Sequence, residues 1–258
     1  MAPKEKQVEV DGFSIRYWEA GQGRPVVTLD STGWRQTALH DALATSYQVV
    51  SLELPGTGDS PANTTSQSMK DLAATAAKAV SAITSEKITL IGTSFGASVA
   101  LWQTFAAPEQ TEALILVSPL VIGPETAPAA DSQEAHRSMF AHPENAGKYT
   151  PVSQEVFAKE QALADRLGYG VHDAQAESQM GDIHCPTLAV FGAKDRLVSP
   201  ESARVYREKI PNCNIAIVYD AGHCIIGERP EALINSVTDY AEHWETFIVG
   251  HSTTLINP

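Results

Sequence analysis

The sequence predicts an α/β fold, a mostly parallel sheet with helices on both faces and one helical insertion. Three observations carry this. From residue 48 onward, short apolar runs of strand length alternate with longer stretches of helical spacing, the pattern of a sheet buried on both sides. The turn Gly92-Thr93-Ser94-Phe95-Gly96 falls where one such run ends and a helix begins. The alternation stops at Val121 and resumes after His184, so residues 121–184 read as an insertion, with 1–120 and 185–258 forming the core domain.

In chain order, Val8 and Val10, then Asp11-Gly12, then Phe13, Ile15 and Tyr17 read as two strands joined by an Asp-Gly turn. After Gly21-Gln22-Gly23-Arg24-Pro25, residues 26–29 form a compact apolar strand, and residues 48–54 another. Residues 68–83 are Ala-rich, with Leu72, Ala76, Ala79, Val80 and Ile83 at helical spacing. A strand at 88–91, a helix at 95–107 and a strand at 113–117 follow. Pro124, Pro128, Pro143 and Pro151 punctuate the insertion, where short helices are expected at 132–140 and 154–167, lying as a lid over the sheet's C-terminal edge. A strand at 187–192, a helix at 200–209, a strand at 214–219 and a helix at 229–247 complete the pattern. The polar tail from 249 is expected to be loosely held.

At 258 residues, 43% hydrophobic and 19% charged, the chain can bury the core of one α/β domain plus a lid, which excludes a disordered class. A net charge of −13 with no run of Lys or Arg would repel a polyanion, so no nucleic-acid partner is expected. The first residues lack the apolar core of a signal peptide and no stretch is apolar enough to span a bilayer, so the expectation is a cytoplasmic protein without membrane contact. Three cysteines, Cys185, Cys213 and Cys224, at no short spacing argue against a disulfide framework or a zinc site. Oligomeric state, monomer or homodimer, stays open.

Chemistry concentrates at strand ends. A Gly-x-Ser-x-Gly turn between strand and helix lifts a serine hydroxyl above the sheet, and its glycines let strand and helix pass closely. Ser94 is therefore the candidate nucleophile, and the N–H of Phe95, at a helix N-terminus, a candidate oxyanion donor. A serine hydroxyl needs a base and the base an orienting group. Asp195 follows the strand at 187–192 and His223 follows the strand at 214–219. Parallel strands end along one edge, so both converge on Ser94. Asp220 is a weaker competitor for the acid role, and His136 and His142 lie in the expected lid. His40 has no motif context, and Cys224 reads as structural because adjacent residues point apart.

With these residues in hand, the chain resembles the α/β-hydrolase superfamily, particularly small esterase, lactonase and carbon–carbon hydrolase members. The likeness runs from about residue 8 to 247. It includes Glu53-Leu54-Pro55-Gly56-Thr57-Gly58-Asp59-Ser60, Asp182-Ile183-His184-Cys185-Pro186-Thr187 and Ala221-Gly222-His223, and the order Ser, Asp, His. The resemblance implies an eight-stranded sheet, a lid after the sixth strand, and no metal or organic cofactor. One departure stands out. Where the family carries His-Gly after its third strand, this chain has Asp30-Ser31. By that alignment Thr32 gives the second oxyanion N–H, with Ser31 the alternative if the loop shifts by one. Asp30 either accepts hydrogen bonds within its loop or, with Ser31, contacts substrate. Trp34 reads as pocket wall, and Met139 and Phe140 either pack the lid or line the pocket.

The expected function is hydrolysis of a small or medium carbonyl compound, a carboxylic ester or lactone first, through an acyl-enzyme on Ser94. Acyl transfer, perhydrolysis or carbon–carbon cleavage would use the same triad, and a non-catalytic small-molecule receptor on this fold is the remaining reading.

Overall fold

The computed structural model describes residues 2–30, 36–123, 129–246 and 254–257. The first hairpin forms as expected. Asp11 and Gly12 both take positive φ, 50° and 81°, the requirement of a two-residue turn that matches strand twist. They join β1 (Lys4–Val10) to β2 (Phe13–Ala20), with Val10 opposite Phe13.

The remaining elements alternate. They are β3 (Pro25–Leu29), α1 (Ala38–Leu43), β4 (Gln48–Leu52), α2 (Met69–Ile83), β5 (Ile88–Thr93), α3 (Phe95–Ala106) and β6 (Thr111–Val117). Between β6 and β7 come α4 (Ser132–Ser138), α5 (Pro143–Ala146), α6 (Gln154–Leu167), α7 (Ala174–Gln179) and a 3-10 turn. Then follow β7 (Thr187–Gly192), α8 (Ala203–Lys209), β8 (Cys213–Val218), α9 (Ile225–Glu228), α10 (Pro230–His243) and β9 (Thr254–Asn257).

The described residues form one sheet in the order β1-β2-β4-β3-β5-β6-β7-β8-β9. Pairings β1/β2 and β2/β4 are antiparallel, and every pairing from β4 through β9 is parallel. The eight expected strands all form. The tail is not loose throughout, because Thr254–Asn257 adds a ninth strand along β8, whose open edge offers unpaired backbone groups.

Side chains of successive strand residues face opposite sides, and both sides are dry. Leu90, Leu116 and Phe191 pack toward α2, α3 and α8, where Leu72, Leu101 and Tyr206 are buried. Ile91, Ile115 and Val190 pack toward α1 and α10, where Leu43, Leu233 and Val237 are buried. Each such side chain contributes roughly 1.5–3 kcal/mol relative to exposure, so the strand positions are fixed by burial on two faces. Among the described residues, no helix is long and apolar enough to cross a membrane.

Two anchors hold the β6–β7 segment on the sheet's C-terminal edge. The buried Glu53 carboxylate accepts from the Ser60 N–H at 2.7 Å and the Ser60 hydroxyl at 2.6 Å, and pairs with Arg16 at 2.9 Å, which fixes the loop after β4. Lys159 of α6 then donates to the Gly58 and Ser60 carbonyls, both at 2.6 Å, and Arg166 donates to those of Ser66 and Asn63. Both cations of this helix thus face the loop after β4.

Candidate active site

Ser94 sits between β5 and α3 with φ 55° and ψ −116°, a conformation that costs a residue with a Cβ about 1–3 kcal/mol. The strain is held by its surroundings. The Ser94 N–H donates to the Val117 carbonyl at 2.9 Å, and α3 begins at once, with the Ala97 N–H donating to the Ser94 carbonyl at 3.0 Å. The glycines are needed here. A Cβ on Gly96 would overlap the Leu29 carbonyl of β3, and one on Gly92 would overlap the Gly96 carbonyl. Gly96→Ala should therefore lower stability by about 1–3 kcal/mol, measured by urea unfolding, and disturb the Ser94 turn with it.

Asp195 follows β7. Its Oδ1 accepts from the backbone N–H groups of Leu197 at 2.8 Å and Val198 at 3.0 Å, which folds the loop back on the carboxylate. Its Oδ2 lies 2.9 Å from Nδ1 of His223. His223 follows β8 and is held through its backbone, since the Ser118 hydroxyl donates to its carbonyl at 2.9 Å. The neighbouring Gly222 N–H donates to Glu228 at 2.6 Å and the Cys224 N–H to the Met139 carbonyl at 2.8 Å. Nε2 of His223 lies 2.7 Å from Oγ of Ser94.

These contacts determine the proton positions. A carboxylate only accepts, so Nδ1 of His223 carries the hydrogen and donates to Asp195. Nε2 is then the acceptor, and the Ser94 hydroxyl donates to it. All three side chains are buried, where such hydrogen bonds are electrostatically stronger than in water. The arrangement can remove a proton from Ser94 and carry it on an imidazole stabilised by a carboxylate.

Tyr169 was not among the residues anticipated from sequence. Its hydroxyl lies 3.0 Å from Oγ of Ser94. The residue stands just past α6 between two left-handed glycines, Gly168 at φ 70° and Gly170 at φ 90°. Its N–H caps α6 by donating to the Ala164 carbonyl at 2.9 Å. Its ring meets Phe95 edge to face with centroids 5.0 Å apart. Burial pushes its phenol up to about 12, against the opposing hydrogen bond with Ser94, so the group keeps its proton. The signal in the sequence is the triplet Gly168-Tyr169-Gly170, a turn that aims one aromatic side chain.

A cavity of about 720 Å³ opens onto Ser94, Tyr169 and His223. Its walls come from the β6–β7 segment, including Leu120, Met139, Phe157 and Leu163, and from Phe95 and Leu197. Glu160 and Asp165 of α6 contribute the carboxylates. Met139 thus faces the cavity and so does His136. Phe140 does not line it. Its side chain is buried with Ala146 and Cys224 and stacks on Tyr149, so it packs the segment from behind.

Asp30 borders a narrow cleft beside Ser94 and His223, and its Oδ2 lies 2.9 Å from Nε2 of His40. Nδ1 of His40 accepts from the Thr37 N–H at 3.1 Å, so Nε2 carries the hydrogen and donates to Asp30. The buried Asp30 carboxylate therefore has a partner that sequence reasoning missed, from a histidine without motif context. Ser31, Thr32 and Trp34 lie outside the described residues. Asp220 is turned away from His223, toward Lys194 and His142, and Lys194 first holds its carboxyl below the ordinary range. Burial pushes the Cys224 thiol up to about 12, which keeps it protonated and unreactive.

A family model described as "Alpha/beta hydrolase family" matches residues 21–236. The dihydrolipoyllysine-residue acetyltransferase component of the acetoin cleaving system of Pseudomonas putida is 27% identical, over 89% of this chain and 67% of its own length. A 2-hydroxy-6-oxononadienedioate/2-hydroxy-6-oxononatrienedioate hydrolase of the same species is 24% identical, over 92% of this chain and 94% of its own. The solved 2-hydroxy-6-oxo-6-phenylhexa-2,4-dienoate hydrolase from Rhodococcus sp. strain RHA1 superposes with a TM-score of 0.76 at 18% identity, over 93% of this chain and 99% of its own, a likeness of fold.

Proposed function

The chain belongs to the alpha/beta hydrolase family, and from that premise we propose that it is a serine hydrolase of carboxylic esters or lactones. The observation that carries this reading is the continuous chain of hydrogen bonds from Ser94 through His223 to Asp195, at 2.7 Å and 2.9 Å. His223 takes the Ser94 proton as Oγ attacks the carbonyl carbon. The Phe95 N–H, at the α3 terminus without an intrahelical partner, faces the developing oxyanion, and the resemblance offers Thr32 for a second N–H, or Ser31 if the loop shifts by one. His223 then protonates the leaving oxygen, and water repeats the sequence on the acyl-enzyme. Asp195 keeps Nδ1 protonated and stabilises the imidazolium. The β6–β7 segment acts as the lid and sets substrate size.

The lining supports a neutral substrate. Among the described residues, the cavity's charged side chains apart from histidine are Glu160 and Asp165, while Lys159 and Arg166 of the same helix point to the loop after β4. A carboxylate-bearing substrate, such as the dioate for which the Pseudomonas relative is named, would meet like charge there. In a series of 4-nitrophenyl esters, kcat/KM for a neutral acyl chain should exceed that for an anionic chain of equal length by about tenfold or more. Glu160→Gln should narrow the gap, since glutamine keeps an acceptor for the Gly58 N–H that Glu160 binds at 2.8 Å. Equal rates for both chains, or preference for the anionic one, would remove this substrate class.

A further inference from the structure

We propose that Tyr169 is a fourth catalytic side chain, whose hydroxyl donates a hydrogen bond to the oxyanion of the tetrahedral intermediate. The proposal rests on the reading of Ser94 as nucleophile and adds a group to it.

The direction of the hydrogen bond follows from the site itself. Ser94 has one hydroxyl hydrogen, and Nε2 of His223 accepts it at 2.7 Å. The 3.0 Å contact between Tyr169 and Ser94 must then run from the phenol to Oγ. The phenol can fill this role throughout the working pH range because it holds its proton up to about 12.

During acylation this arrangement changes in a way that favours the transition state. A lone pair on Oγ forms the bond to the carbonyl carbon, the carbonyl π electrons move onto oxygen, and the Ser94 proton passes to His223. Oγ, now a neutral ether-like oxygen on the tetrahedral carbon, is a weaker acceptor than the charged oxygen bonded to the same carbon. Charge-assisted hydrogen bonds are about twice as strong as neutral ones, so the phenol follows the charge. Tyr169 keeps its own proton, and the balance of the step is unaltered. The bond is therefore weak in the free enzyme and strong at the transition state, the condition for raising kcat without changing KM.

The position is prepared in advance. Edge-to-face packing on Phe95 sets the ring, and Phe95 also provides the backbone N–H at the oxyanion site, so both donors belong to one packed unit. The turn through Gly168 and Gly170, anchored by the cap on Ala164, fixes the backbone. A donor this fixed requires no reorganisation when charge appears.

The test compares wild type, Tyr169→Phe and Ser94→Ala on a neutral 4-nitrophenyl ester, with thermal melting and labelling by a fluorophosphonate as parallel readouts. Phenylalanine keeps the ring on Phe95, so Tm should stay close to wild type. In Tyr169→Phe, kcat should fall about 100-fold with KM within about twofold. Affinity for an alkyl boronic acid, which forms a charged tetrahedral adduct on Ser94, should fall by at least tenfold, while inhibition by the neutral, unreactive amide of the same acyl chain stays within about twofold. A fall in kcat of less than tenfold, or a loss confined to KM, overturns the role of Tyr169, provided that wild type labels at Ser94. If Ser94→Ala remains active or wild type fails to label, the nucleophile reading fails instead. Tyr169→Leu serves as the packing control. If Tyr169→Phe melts well below wild type, the ratio of boronic acid affinity to neutral amide affinity decides, because lost packing lowers both and a lost oxyanion donor lowers chiefly the first.

Discussion

Ser94→Ala is expected to lose roughly 10⁶-fold in kcat on a neutral ester while retaining the fold and substrate affinity. Removing Oγ takes away the atom that forms the covalent bond, and no neighbour can replace it. Cys224 follows His223, but its thiol is buried and stays protonated, and Thr93 and Ser118 donate no hydrogen bond to Nε2 of His223 among the described contacts. The residual rate should come from the oxyanion donors and from cavity binding alone. Steady-state rates at enzyme concentrations high enough to see a 10⁶-fold loss, with wild-type contamination excluded by mass spectrometry, check this. Tm should not fall, because alanine at a strained φ of 55° replaces serine without adding volume. Activity within tenfold of wild type would contradict the nucleophile.

The second large effect is Asp195→Asn, with an expected fall in kcat of about 10⁴-fold. The reason lies in the contacts of each oxygen. Oδ1 accepts from Leu197 and Val198, so an asparagine at this position keeps its carbonyl oxygen there and turns its NH₂ toward Nδ1 of His223. Two donors cannot face one another, so the imidazole switches tautomer and carries its hydrogen on Nε2. It then faces Ser94 with a donor where an acceptor is required. The loop stays folded because the Leu197 and Val198 bonds remain. A thermal melt near wild type with kcat reduced about 10⁴-fold is the predicted pair of results. A reduction of less than tenfold would mean that another group orients His223.

How much of this was legible in the sequence depends on how local each signal is. Ser94 announces itself because strand, glycine turn and helix are contiguous, and close approach to Leu29 leaves only glycine at 96. Asp195 and His223 were legible because parallel strands deliver their ends to one edge. Helices α2 and α6 were placed within a residue, since Ser68 and Ser153 cap them and their periodicity runs for several turns. Helices α1, α5 and α7 were not, because four to six residues give no period to read. Strand β9 was hidden because its pairing along β8 is long-range.

Tyr169 and His40 were missed for a related reason. Tyr169 reaches Ser94 only through the tertiary path of the β6–β7 segment, which Lys159 and Arg166 pin to the loop after β4. His40 meets Asp30 across a turn, and nothing in their ten-residue separation marks a pair. For Phe140 the sequence left packing and lining open, and its ring, next to the cavity-lining Met139, is buried with Ala146 and Cys224 instead.

The most direct test of the account is peptide mapping after treatment with a fluorophosphonate. One phosphonyl group should be found per chain, on the peptide that carries Ser94, with ester hydrolysis lost in proportion to labelling and neither seen in Ser94→Ala. Labelling on another residue, or an enzyme that hydrolyses esters at full rate after Ser94 is blocked, would contradict it.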